Sequence, residues 1–439
     1  MAAQITAVDW ILNIPGTEKE KREIEGCFEC HTLTLMKFRF DKPNWLKIVR
    51  FMTGTSVHWA NLQGEPNRLR DEPGAPLVRE MPGYNERTEA IAGFLAKVRG
   101  PEPSDLSNAK LLPRPKGRST HVMFTEYDIP RGHAEPHDLA VDPDGIVWFT
   151  DWRWGTLGRL DPNTGEMKIW DVPPLNDKKE EHPGTFQVAF DKDGNPWTTI
   201  TWTGGLAKFD KKAEKFTTWS FPDAAPHKVI TTQTDNRRGR IWFDTHNYFG
   251  RRAMGFYAPA TGEFRLYEHP REDGGNYGVI VGSKGNAYGL KMRVSAVGRI
   301  DAETGEQTIY KAPTPNAAPR RGDHDAEDRI WFAEDRAGQV GVLDPKTGQI
   351  TEYKLPIPMA RPYSSNVDRR TGLVWTAEFL ADRFAALDPR TGQMREYMLP
   401  TRDSRVRIID SYSTGDHSVI WYGSLPIYKN DTIVKWEAW

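Results

Sequence analysis

Cysteine is almost missing: only Cys27 and Cys30 occur in 439 residues, which excludes a disulfide-stapled scaffold. No sign of charge dominates either. Lys and Arg number 59 against 60 Asp and Glu, and residues 1–100 hold 14 basic against 13 acidic side chains. Without a basic field nothing draws in nucleic acid or an anionic membrane, and neither is an expected partner. No apolar run reaches the length of a membrane span, so no transmembrane segment is expected. An apolar leader is also missing, since Met1-Ala2-Ala3-Gln4 passes straight into polar sequence. That fits a cytosolic chain or an exported one in processed form.

The two cysteines favour export. Cys27-Phe28-Glu29-Cys30-His31 has the C-x-x-C-H spacing of covalent haem attachment. Two thiols on one helical turn reach the two vinyl groups of the porphyrin, and the adjacent imidazole falls under the iron. A redox disulfide would need βαβ surroundings, and a zinc site would need a second cysteine pair. Neither is present in the sequence. Thr17-Glu18-Lys19-Glu20 predicts a capped helix running into the motif. Trp45 to Met52 predicts a second helix, and Ile91, Phe94, Leu95 and Val98 a third that ends at Gly100-Pro101. Residues 1–100 thus resemble a small class I cytochrome c. The resemblance implies a distal methionine in the loop before the last helix, where Met81-Pro82 stands. Met52 is the main alternative ligand, with Met36 and His58 as further rivals. The expected iron ligands are His31 and Met81, and the expected cofactor is covalent haem c.

Residues 101–118 are rich in proline and charge and predict a connector. From residue 119 the chain is periodic. A segment D-x-x-T-G-x7-P recurs at Asp161, Asp301, Asp344 and Asp388, with degenerate copies at Asp210 and Ala258. Ahead of each turn lies a strand-like triplet led by Trp148, Trp197, Trp242, Tyr288, Trp331 and Trp375, and Trp421 leads a seventh. These aromatics are 49, 45, 46, 43, 44 and 46 residues apart, the period of a four-stranded propeller blade. Seven aromatics predict seven blades over residues 119–439. The last unit lacks a fourth strand, and an orphan strand over residues 122–130 precedes the first. It is expected to close the last blade and remove two open edges. The fold class is therefore a small all-α haem domain followed by an all-β seven-bladed propeller.

The text Asp142-Pro143-Asp144-Gly145-Ile146-Val147-Trp148-Phe149-Thr150-Asp151, then Leu157-Gly158-Arg159-Leu160-Asp161, resembles the streptogramin B (virginiamycin B) lyase propellers. Arg329-Ile330-Trp331-Phe332-Ala333-Glu334 is a second match. That resemblance implies opening of a cyclic depsipeptide by proton abstraction, with a histidine base and a Mg²⁺ held by glutamates at strand ends. It points to Glu334 and Glu378 as carboxylates, Asp151 as a shorter substitute, and His227 or His246 as the base.

Aligning the blades gives two rings of strand-end residues. One is His137, Phe186, His227, Tyr277, Arg320, Tyr363 and Arg405; the other is Asp151, Ile200, Thr245, Lys291, Glu334, Glu378 and Ser424. Polar side chains sharing a funnel mouth are candidates for a site. Tyr277, Lys291 and Arg320 therefore join the catalytic candidates. Glu334 and Glu378, with Asp151, are candidates for Mg²⁺ or Ca²⁺ through oxygen ligands. His133, His182, His269, His324 and His417 are expected in surface turns. The leading expectation is a periplasmic haem oxidoreductase whose propeller binds a substrate or redox partner. The alternatives are a metal-dependent lyase with an accessory cytochrome, and a docking module that passes electrons to the haem.

Overall fold

The computed structural model describes residues 5–28, 38–55, 84–102, 109–175, 183–201, 203–221, 229–245, 253–269, 275–426 and 431–439. The chain divides into two compact units, Met1–Arg114 and Pro115–Trp439.

The described residues of the first unit form four short helices, α1 (Ala7–Asn13), α2 (Glu18–Glu25), α3 (Lys42–Thr55) and α4 (Tyr84–Val98). α2 opens on the box expected from its sequence: Thr17 accepts from the Glu20 amide while Glu20 accepts from the Thr17 amide. Thr6 and Asp9 build the same box on α1, a helix too short to show a period in sequence. Trp10, Ile24, Phe28, Trp45, Val49, Ile91, Phe94 and Leu95 are among the buried apolar residues of this unit. These helices do not by themselves establish a cytochrome fold. Part of the expected connector belongs to the unit, because the Leu112 amide donates to the buried Asp9 carboxylate at 2.7 Å and the Lys110 amide to Asn13 at 2.6 Å. A buried carboxylate needs donors, and this segment supplies one.

The second unit is a seven-bladed propeller of seven four-stranded antiparallel sheets. Six blades use four consecutive strands. In the seventh, Val122–Asp128 pairs along its whole length with Thr432–Ala438, from Val122 opposite Ala438 to Asp128 opposite Thr432.

The repeat letters have mechanical roles. In the Asp142, Asp191 and Asp325 turns one carboxylate oxygen takes backbone amides, and the other takes the indole N–H six residues on. The bonds to Trp148, Trp197 and Trp331 measure 3.0, 3.1 and 2.8 Å. Where the spacing is seven, from Asp235 to Trp242 and Asp368 to Trp375, the indole nitrogen makes no such bond. The glycine in Leu157-Gly158-Arg159 is required because any Cβ there would enter the Phe149 ring. Buried clusters then cement neighbouring blades, as Trp375, Phe384 and Tyr397 of blade 6 do against Ile420, Tyr422 and Trp436 of blade 7.

Candidate functional site

Every inner strand brings one residue to the same height on the channel, three positions before the residue paired with the blade aromatic. Ala140 pairs with Trp148, Asp323 with Trp331 and Asn366 with Trp375. The slot therefore holds His137, Arg320 and Tyr363, with Phe186 and Tyr277 in blades 2 and 4. One member of the expected ring is corrected by this register. In blade 3 Gln233 pairs with Trp242, and His227, expected in this ring, lies outside the described residues. Asp410 pairs with Trp421, so blade 7 offers Arg407 rather than Arg405. Asp410 is not a turn residue; it lies in the strand and accepts from the Val141 amide at 2.7 Å, which shifts any count made from it. Arg405 instead donates to the Leu425 carbonyl.

The ring is tightly interlinked. The Tyr277 and Tyr363 hydroxyls are 2.8 Å apart. The Arg320 guanidinium lies 3.6 Å from the Tyr363 ring centre and 4.7 Å from that of Tyr277, in cation–π range. Its Nη1 is 3.4 Å from Asp335, whose carboxylate also takes two bonds from Arg361 at 2.8 and 2.6 Å. His137 bonds through Nδ1 to Asp138 and packs edge-on against Phe186. Burial lowers the His137 imidazole to about 4, although Asp138 pulls the other way. Burial raises the Asp138 carboxyl, but Arg321 and His137 outweigh it and hold the group below its usual value. His137 is thus neutral and Asp138 ionised at neutral pH. The imidazole keeps its Nδ1 proton toward Asp138 and has Nε2 available as an acceptor. The dipeptides His137-Asp138 and Arg320-Arg321 carried the signal for Asp138 and Arg321, which the ring count passed over.

The second ring does not line a funnel. Asp151, Ile200, Lys291, Glu334, Glu378 and Ser424 are all essentially inaccessible. Glu334 accepts from Gln339 at 2.9 Å and faces Glu352 of its own blade; burial pushes it up to about 8. Glu378 faces Glu396 beside Arg383, and burial then Glu396 hold it well above the carboxylate range. Each glutamate faces a second carboxylate of its own blade, Glu352 for Glu334 and Glu396 for Glu378, and burial favours its protonated form. Asp151 accepts from the amides of Glu135, Arg153 and Trp154, and burial pushes it up to about 6. Among the described residues, no group of three or more His, Cys, Asp or Glu side chains is gathered to hold a metal.

His227 and His246 lie outside the described residues, as do Cys30, His31, Met36, His58, Met81 and His182. His269 is not a surface residue. It is buried, bonds Asn276 at 3.2 Å, and is lowered to about 3 by burial and then Lys291. Cys27 is half-buried in the turn after α2, its amide bonded to the Ile24 carbonyl at 2.9 Å. Met52 is half-buried near the end of α3.

Residues 174–427, more than half of the chain, match the model of the virginiamycin B lyase family. The virginiamycin B lyase of Staphylococcus aureus superposes with a TM-score of 0.62 at 22% identity, over 72% of this chain and 99% of that one. A streptogramin B lyase gives 0.63 at 23% identity, over 73% and 99%. A catalytically inactive histidine-to-alanine form of the Staphylococcus aureus enzyme with quinupristin gives 0.61 at 22% identity, over 72% and 99%. At these identities the structural likeness is one of fold. No curated protein matches the chain.

Proposed function

Because the chain belongs to the virginiamycin B lyase family, we propose that its propeller is a lyase that opens an ester-containing cyclic peptide by proton abstraction, with His137 as the base. The observation that carries this reading is the His137–Asp138 pair in the inner ring. Neutral His137 takes the proton from the carbon next to the carbonyl, and ionised Asp138 stabilises the imidazolium that forms. As the C–H bond breaks, a C=C bond forms, the ester C–O bond breaks, and the carboxylate leaves. The Tyr277–Tyr363 hydroxyl pair supplies a donor for charge developing on the carbonyl oxygen, and Arg320 adds a fixed positive field beside it.

The test is quinupristin, the compound found with the Staphylococcus aureus relative. Wild-type protein should convert it to the linear form, read by mass spectrometry. His137→Ala should slow conversion by about 10²–10⁴-fold, the usual worth of a general base. Binding without ring opening would reduce the propeller to a docking module.

A second reading concerns the first unit and rests on the C-x-x-C-H motif at the end of α2. Covalent haem c would be held by Cys27, Cys30 and His31, with Met81, or Met52, as a further ligand. When bound it would supply one-electron chemistry, drawing on a redox partner or on the propeller's substrate, and its maturation implies an exported protein. Haem absorbance surviving on a denaturing gel, and lost in Cys27→Ala, tests it.

A further inference from the structure

One residue further along the inner strands, the chemistry changes. Arg321 is 3% exposed, yet its guanidinium is only partly engaged. Nη1 donates to Gln187 at 3.2 Å and stands 3.5 Å from Asp138, while one face lies 5.4 Å from the Tyr277 ring centre. The Nε and Nη2 atoms are buried and take no partner among the described residues. Ser364, 2% exposed, likewise presents a buried hydroxyl without a partner. Both residues line one cavity of about 220 Å³, together with Gln187, Gln233 and Asn366.

Unsatisfied buried donors are costly, and a guanidinium left with two N–H groups on one edge is the most demanding case. That edge is a fork whose parallel N–H vectors match the two oxygens of a carboxylate. The acids on the cavity wall do not compete for it. Asp323 is taken by Arg369 at 2.8 Å and by the Val367 amide. Asp410 accepts from the Val141 amide, and burial pushes it up to about 7. Arg369, half exposed, also lines the cavity and connects it to solvent. The volume is below the roughly 300 Å³ of pockets that take drug-sized ligands.

We propose that Arg321 and Ser364 form a binding site for a small carboxylate inside the channel, with the Arg321 Nε–Nη2 edge and the Ser364 hydroxyl as its donors. Arg321 also stands beside Asp138 of the proposed base pair, but acetate binding is read without His137 or a peptide substrate, so failure of the lyase reading and failure of this site are distinguishable. The occupant is a short monocarboxylate taken up from the Arg369 end of the channel.

Calorimetric titration of the full chain with acetate tests the site, with inorganic phosphate as the second arm. Wild-type protein should bind acetate saturably at one site and phosphate more weakly. Arg321→Lys keeps the charge but removes the fork, and should weaken acetate binding about tenfold or more. Ser364→Ala removes one donor that holds nothing else, so its fold is expected to survive, and it should weaken binding about threefold to tenfold. It carries the test if Arg321→Lys does not fold. Absence of saturable acetate binding in wild-type protein would overturn the proposal. So would unchanged affinity in Ser364→Ala, or tighter binding of phosphate than of acetate.

Discussion

The propeller repeat places polar side chains in two families, and distance from the axis decides what each can do. Inner-strand residues such as His137, Tyr277, Arg320 and Tyr363 come from different blades and meet: Arg320 of blade 5 touches rings from blades 4 and 6. Glu334 and Glu378 sit at the ends of the second strands, one strand spacing of about 4.8 Å further out. Among the described residues each faces a second carboxylate of its own blade, Glu352 and Glu396. A repeat therefore converges into a site only along its innermost strand. The same sequence period one strand outward yields buried, proton-holding pairs.

Opening the ring is the strongest way to break this contrast. Deleting residues 119–130 removes the closing strand and exposes the edge carrying Val434 and Trp436. The seven-residue ladder is worth about 3 kcal/mol or more, and the exposed edge should promote aggregation. Thermal unfolding with light scattering checks it; an unchanged melting temperature and a monodisperse sample would mean that the ring does not need this strand.

The glutamates should reveal themselves through pH rather than through metal. Folded Glu334 keeps its proton up to about 8, whereas its ordinary value is 4.5. Between those values the folded state holds the extra proton. Its stabilising contribution is complete below 4.5 and is lost as pH rises through 8, at about 1.4 kcal/mol per pH unit. Glu334→Gln should flatten this slope in urea unfolding and be more stable than wild type near pH 8. A steeper slope, or calcium-dependent stability lost in the variant, would return Glu334 to the role of a ligand.

The smallest effect concerns the turn aspartates. Asp142→Ala removes acceptors for the Trp148 indole and for two backbone amides, at a cost of about 1–3 kcal/mol. Asp235, whose blade lacks the indole bond, should lose less on the same change. Equal losses would show that the indole bond contributes nothing.

Blade count and repeat were legible because aromatic spacing and D-x-x-T-G turns are local signals. The helices after Thr17 and around Trp45 and Ile91 were legible for the same reason. Burial was not. Nothing local distinguishes Glu334 on a solvated rim from Glu334 enclosed beside Glu352, nor His269 in a turn from His269 packed on Asn276. Register failed where an aspartate left its turn: Asp410 looks like Asp325 in sequence but serves Val141 across the blade junction. The dipeptide His137-Asp138 stands in the sequence, but only strand pairing makes it a hydrogen-bonded pair in a ring.

The direct test of that pair is proton exchange. With quinupristin in deuterated water, wild-type protein should release a linear product bearing the new double bond, at a rate that falls as acid titrates His137 near its value of about 4. His137→Asn, which can still hydrogen-bond to Asp138 but cannot take a proton, should form no product and exchange no substrate proton. Undiminished product formation by His137→Asn would contradict the assignment of His137 as the base.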